Sequence, residues 1–571
     1  MTSKKNIEDI ICDNVCLLNR KIINQQDFDN YVNTNHSPYI IDTPGYYILG
    51  ENIETNFFPN INDSLQLNEN NPNPFGHPAA FVIASKYVIF DLNGYAIYQS
   101  PQDYCVQRFF ALIQLNLLPF NVGVGPITPE SRTEQYTAEY CIIKNGVLGL
   151  SAHQSVLGNN NKNIIIEKLN CEDFEVSGIT INNGENIFIE NSIIGKSIGA
   201  FKGRKLPISP TFAGLTFSHK LLRAVINDSN TIQNTKIMAS NMQNDIEKYL
   251  LPFFEIIYSN DTLTNIFSEL KSLSEEDSDY TILFNKSGKS PCNMHGIKIT
   301  GPNPSIGAFH TELDQSASGH SKNINITNVH IENIEGCVDE ELLCTSQGNV
   351  IHICAGLKAS YNLIQNNVIL NLINTIYELV KDDPGINKIV KSGVTKDVLD
   401  FINHGLNRTN NCGFTRGMDV MAHINKGIHG LRLGSSETVN LNNCKIRHIS
   451  NVGNIIDDRI IEEVKIKFQG VNEITIPDTT LLTNNRFIGS SSIGAIISGC
   501  NYVKFDTLDI SNIKAPNGIA FGNVVNNQCN FVNLFNINIY KLISQSCCVE
   551  SSAISVDHDA KNIQINNTSI Q

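Results

Sequence analysis

The segment GITINNGENIFIENSII, residues 178–194, reads as two short strands joined by a turn and closed by a corner. Glycine opens it. Aliphatic residues follow one and three positions later, and again at nine and eleven. Asn191 then falls at thirteen and Ile194 at sixteen. Alternation of this kind makes a strand with one buried face. Asn turns a corner because it tolerates left-handed backbone and bonds to its own turn. The arrangement returns as GLRLGSSETVNLNNCKI (430–446) and GAIISGCNYVKFDTLDI (494–510). With alanine for glycine and one inserted residue it returns once more as AISVDHDAKNIQINNTSI (553–570).

The second half also stands alone as an eight-residue unit: apolar, any, apolar, any, Asn or Thr, any, any, Ile. It occurs as IFIENSII (187–194), INITNVHI (324–331), VNLNNCKI (439–446), VKFDTLDI (503–510), VNLFNINI (532–539) and IQINNTSI (563–570). A hairpin accounts for one such pair, but not for register kept across distant copies. Stacked parallel coils do, because each buries its apolar positions on its neighbours. The last three units start at 503, 532 and 563, a spacing suited to one coil per repeat. KYVIFDLNGYAIYQS (86–100) alternates on both sides of Asn93-Gly94 and poses the same choice, hairpin or coil corner. The repeats favour the corner.

FDLNGYAI (90–97), IIKNGVLGL (142–150) and the glycine-led repeats resemble right-handed parallel β-helix proteins, the pectin-lyase-like superfamily. PGYYILGENI (44–53) resembles the segment that often precedes the first coils of such proteins. The expected fold is therefore mainly β, a right-handed parallel β-helix with two α-helical insertions. A polar helical cap or lead-in is expected over 1–36 and the β-helix over 37–571. HKLLRAV (219–225) and its continuation, and SYNLIQNNVILNLINTIYELVKDD (360–383), carry apolar residues at helical spacing. They place the insertions at about 205–280 and about 357–405.

The chain has 571 residues, 41% of them hydrophobic and 17% charged, enough apolar matter to exclude wholesale disorder. A net charge of −14 argues against nucleic acid or an anionic membrane as partner. No apolar run is long enough for a membrane span. MTSKKNIEDIICDNVCLLNRK lacks the apolar core of a secretory leader. The fifteen cysteines form no CxxC pair, so neither a metal nor another cofactor is expected, and the thiols read as small buried side chains. Abundant Asn and Ile with no Trp resemble the composition of proteins from giant DNA viruses of amoebae. Together with the repeat architecture, the missing catalytic signatures and the missing secretory leader, that resemblance implies a structural or carbohydrate- or protein-binding protein of the virion or of virus assembly, located in the particle or the host cytoplasm. Its partners would be polysaccharide or other virion proteins, and a homotrimeric shaft is an allowed form.

The superfamily resemblance also implies catalytic patterns, and these are incomplete here. A polygalacturonase-like site would pair adjacent aspartates with Gly-His-Gly and Arg-x-Lys. The adjacent pairs Asp382-Asp383 and Asp457-Asp458 lie in an expected helix and an irregular segment. Met294-His295-Gly296 with Lys298 is a partial echo. A pectate-lyase-like calcium site would need converging carboxylates near an arginine, and no such run appears.

The echo occurs twice, as His295-Gly-Ile-Lys298 and His429-Gly-Leu-Arg432. Both fall on a coil-opening glycine, which puts each histidine in the preceding turn and each cation on the outer face. In register, the four could line one groove that holds an acidic sugar. A histidine there could act as general base while a cation stabilises an enolate, the rival reading of a polysaccharide lyase or hydrolase. The same offset tolerates Thr180, Ile496 and Ser555, so mere exposure also explains it. His310, Glu312 and Asp314, with His320, gather in the loop AFHTELDQSASGH, and Arg416, Asp419 and His423 cluster within eight residues. Both groups are candidate binding sites, or solvated polar segments. Asp557-His558-Asp559 reads as a cap on the last coil.

Overall fold

The computed structural model describes residues 3–15, 17–18, 20–59, 77–106, 110–117, 137–174, 176–195, 219–220, 222–258, 295–301, 320–336, 428–451, 454–455, 487–488, 492–515, 520–526, 528–544 and 552–571. The strands on either side of Asn93-Gly94, Lys86–Asp91 and Ala96–Gln99, do not pair with each other. Both instead pair in parallel with Glu139–Leu148 of the next coil. Asn93 and Gly94 have φ of 53° and 84°, the left-handed backbone that turns a corner. The segment is one bend of a solenoid.

The chain winds as a right-handed parallel β-helix built on one sheet of sixteen strands, here sheet A, and one of ten, sheet B. Right-handed crossover follows from the twist of strands joined in parallel. All six eight-residue units lie in register on successive coils of sheet A: Ile187, Ile324, Val439, Val503, Val532 and Ile563 pair in that order. Their fifth residues, Asn191, Asn328, Asn443, Thr507, Asn536 and Asn567, all have positive φ, between 49° and 58°. The corner asparagines bond to one another up the stack, as in Asn328 Nδ2 to Asn191 Oδ1 (3.1 Å), so each coil fixes the next.

The repeat glycines mark the closest approach between coils. A Cβ at Gly430 would sit 2.7 Å from the carbonyl oxygen of Gly494 on the next coil, and closer still to Ile446. Ile446 is the sixteenth-position isoleucine of the same repeat, so the sequence spacing is a physical contact. Inside, one continuous aliphatic cluster runs from Ile23 to Ile539. Cys141, Cys171, Cys444, Cys500 and Cys529 lie within that interior as thiols rather than disulfides. Burial pushes Cys141 and Cys171 up to about 12, where a thiol is inert.

Near the N-terminus, two helices, Lys4–Val15 and Gln25–Asn35, flank a strand, Arg20–Ile23, that already belongs to the stack. Strand Arg20–Ile23 already pairs with Gly45–Leu49. Helix α1 (Lys4–Val15) lies across the outer face of sheet A, with Ile7, Ile11 and Val15 on Ile89, Ile142, Ile165 and Phe188. Lys4 Nζ reaches Glu167 and Glu190, each at 2.8 Å. Burial opposes its charge, but the two carboxylates outweigh that and hold it above the ordinary lysine range. Helix α2 (Gln25–Asn35) closes the end of the core with Phe28 and Val32. In the first insertion, residues 222–227 and helix α3 (Gln233–Tyr258) are helical. Leu222, Val225 and Ala239 join the main core. The second insertion lies outside the described residues.

Candidate functional site

Sheet B carries two outward columns. The first runs Ala79, Ala111, Gln154, Ser177, His295, His429, Ile493, Phe521 and Ser552. Three residues further along each strand runs the second: Val82, Gln114, Leu157, Thr180, Lys298, Arg432, Ile496, Val524 and Ser555. Both face away from the main core. Ala79 and Val82 pack together in a cluster of their own, and Ser177 Oγ lies 2.6 Å from Thr180 Oγ1. Glycine follows the first-column residue in five successive coils, Gly178, Gly296, Gly430, Gly494 and Gly522, where a Cβ would meet the backbone carbonyl of the next coil.

The structure therefore brings His295, Lys298, His429 and Arg432 together on two adjacent rungs of one outer face. Neighbouring strands are about 4.8 Å apart, so the two cations stand roughly one strand spacing from each other. The histidines differ from expectation. His295 is the first residue of strand His295–Thr300 and His429 the second of strand Ile428–Gly434, so neither sits in a preceding turn. They are also 1% and 0% exposed, whereas an open groove was expected. Their rings stack with centroids 5.0 Å apart, and the two Nδ1 atoms are 3.1 Å apart. One ring must donate that bond and the other accept it. Burial, then His429, Arg432 and Lys298, hold His295 well below the ordinary histidine range. Lys298 and Arg432 are half-buried. Above them Ile493, Ile496, Phe521 and Val524 are buried although they too face outward.

His310, Glu312, Asp314, Arg416, Asp419 and His423 lie outside the described residues. Asp557, His558 and Asp559 form the turn before strand Lys561–Asn566, with His558 Nδ1 2.6 Å from Asp557 and its Nε2 3.4 Å from Asp559. Their ligand atoms lie within 4.8 Å of one another, an arrangement that could hold a metal, on a histidine that is 86% exposed.

One group of buried ionisable side chains was not singled out from the sequence. Lys220, 2% exposed, places its ammonium 5.4 Å from the Phe58 ring, and burial pushes its amine down to about 8. Asp103 is fully buried and accepts from Thr55 Oγ1 and from the backbone of Phe57 and Phe58. Burial outweighs those bonds and pushes it up to about 6. The helical periodicity of HKLLRAV identified the element, but only tertiary packing sets Lys220 on Phe58.

No family model matches the chain, and no curated protein matches it. Among solved structures it is similar to a polygalacturonase from Erwinia carotovora ssp. carotovora, at 8% identity over 94% of this chain and 85% of that one, with a TM-score of 0.25. It is also similar to the surface protein and adhesin PfbA of Streptococcus pneumoniae, at 8% identity over 99% and 92%, TM-score 0.27. The tailspike of E. coli bacteriophage HK620, solved with a pentasaccharide, aligns at 9% identity over 94% and 61%, TM-score 0.25.

Proposed function

We propose that this β-helix binds acidic polysaccharide through the outer face of sheet B, with Lys298 and Arg432 as the contacts for sugar carboxylates. The observation that carries the reading is the register itself: residues 134 apart in sequence stand on adjacent rungs of one face. Two cations a strand spacing apart suit an anionic chain laid along the stack, and a guanidinium can hold a carboxylate with two bonds. The buried, hydrogen-bonded histidine pair gives those rungs a rigid footing. A polysaccharide-active enzyme using the same four residues draws less support, because a catalytic base must reach its proton and both histidines are buried. The viral setting suggested by composition gains nothing from the fold and is not part of the proposal.

Isothermal titration with oligogalacturonate and oligomannuronate tests this. Wild-type protein is expected to bind at least one of them, more weakly at high salt. The double variant Lys298→Gln/Arg432→Gln is expected to bind at least tenfold more weakly with an unchanged melting temperature. Equal affinity in the two proteins would overturn the proposal.

A further inference from the structure

A second surface, on sheet A, has features that the coil architecture does not require. The residue just before the inward column, which in the later coils opens the eight-residue unit, is left-handed in nine successive coils of sheet A: Tyr87, Tyr140, Asn163, Asn186, Asn323, Thr438, Tyr502, Phe531 and Asn562, with φ between 53° and 59°. Asparagine suits that backbone, and the middle coils use it in a bonded ladder, Asn186 to Asn163 at 2.8 Å and Asn323 to Asn186 at 2.6 Å. A bulky aromatic residue there is strained, at a cost that needs a return. Tyr87 and Tyr140 stack at 5.5 Å and pack beneath α1, so burial supplies the return. Tyr502 and Phe531 stack at 5.1 Å with planes 2° apart, yet they are 55% and 42% exposed. Strain without burial points to a ligand.

We infer that the Tyr502–Phe531 stack is a binding site for a neutral saccharide. The neighbouring column, two residues along each strand, is Asn440, Lys504, Asn533 and Gln564. In the coils under α1 the same column is Ile89, Ile142, Ile165 and Phe188, so an apolar helix has no seat at the C-terminal end. A second protein copy is also a poor occupant. The exposed halves of the two rings offer roughly 200 Å², against about 800 Å² per partner in a stable interface. A pyranose fits the chemistry: its C–H face packs on the rings, and its hydroxyls meet amides that donate and accept. Lys504 lies 3.2 Å from Asp506, so its charge is compensated and a neutral sugar is favoured over an acidic one.

The test titrates the full-length protein with maltohexaose, cellohexaose, laminarihexaose and mannohexaose, one at a time. At least one is expected to bind. Tyr502→Asn/Phe531→Asn, which restores the residue this position carries in the middle coils, is expected to bind about tenfold more weakly with an unchanged or higher melting temperature. Tyr140→Asn, beneath α1, is expected to lower the melting temperature while leaving that binding intact. The inference is overturned if no hexaose binds wild-type protein or if the double variant binds equally well. It also fails if the double variant melts lower, as Tyr140→Asn should, or if Lys298→Gln/Arg432→Gln removes the same binding. It stands or falls separately from the acidic site on sheet B.

Discussion

The N-terminal and C-terminal coils of sheet A share their inward residues and differ in what they show outside. From Val88 to Ile187 the outward column is Ile89, Ile142, Ile165 and Phe188, and α1 covers it. From Val439 to Ile563 the same column is Asn440, Lys504, Asn533 and Gln564, and it meets solvent. The inward ladder specifies the solenoid at both ends, while the outward column decides whether a coil is covered or presents a surface. Function is then a property of the outer columns, which can change without disturbing the stack.

Mutation of that column should separate the two ends. Ile165→Ala removes a buried contact with α1 and should cost about 2–5 kcal/mol in denaturant unfolding. Asn533→Ala, on the open end, should stay within about 0.5 kcal/mol. Equal costs would mean the covered and open ends are not distinct. On sheet B the inward ladder has an exception at Asn523, where neighbouring coils place Val156, Ile179, Ile297, Leu431 and Ala495. Asn523 is fully buried and neither amide atom has a partner among the described residues. Asn523→Val should therefore stabilise the protein by about 1–3 kcal/mol.

Acid should weaken sheet B before it weakens the α1-covered end. His295 is held neutral when folded, with its affinity for protons below that of the unfolded chain. Stability is thus complete above the unfolded value near 6.5 and lost as pH falls below it, by up to about 1.4 kcal/mol per pH unit. Melting curves from pH 7.5 to 5 should show that slope, and His295→Gln should flatten it; an unchanged slope would assign it elsewhere. The smallest effect is expected at Lys4. Its ion pairs with Glu167 and Glu190 are partly exposed, so Lys4→Gln should cost about 1 kcal/mol or less, and less again in high salt.

Much of this was legible in the sequence because coil register is written in period-two alternation and recurrent Asn. The six units, the glycine contacts and the shared offset of His295 and His429 could all be read from spacing. The cover provided by α1 was also encoded, less openly. Runs such as Cys141-Ile-Ile143, Ile164-Ile-Ile166 and Ile187-Phe-Ile189 replace alternation with continuous apolar residues, the mark of a strand covered on both faces. The burial and mutual stacking of the histidine pair were not legible, because alternation assigns a face to a side chain but not its exposure there. Lys220 over Phe58 is the same kind of contact, made by segments about 160 residues apart that share no repeat.

The account rests on Lys298 and Arg432 occupying neighbouring rungs of one parallel stack, and a cysteine pair measures that directly. Parallel neighbours about 4.8 Å apart lie within the span of a disulfide, whereas positions two rungs apart do not. Under mild oxidation, Lys298→Cys/Arg432→Cys should yield a peptide pair joining the two sites by mass spectrometry, and Lys298→Cys/Ile496→Cys should not. Failure of the first pair to join, or equal joining of the second, would contradict the stacking order from which both binding surfaces follow.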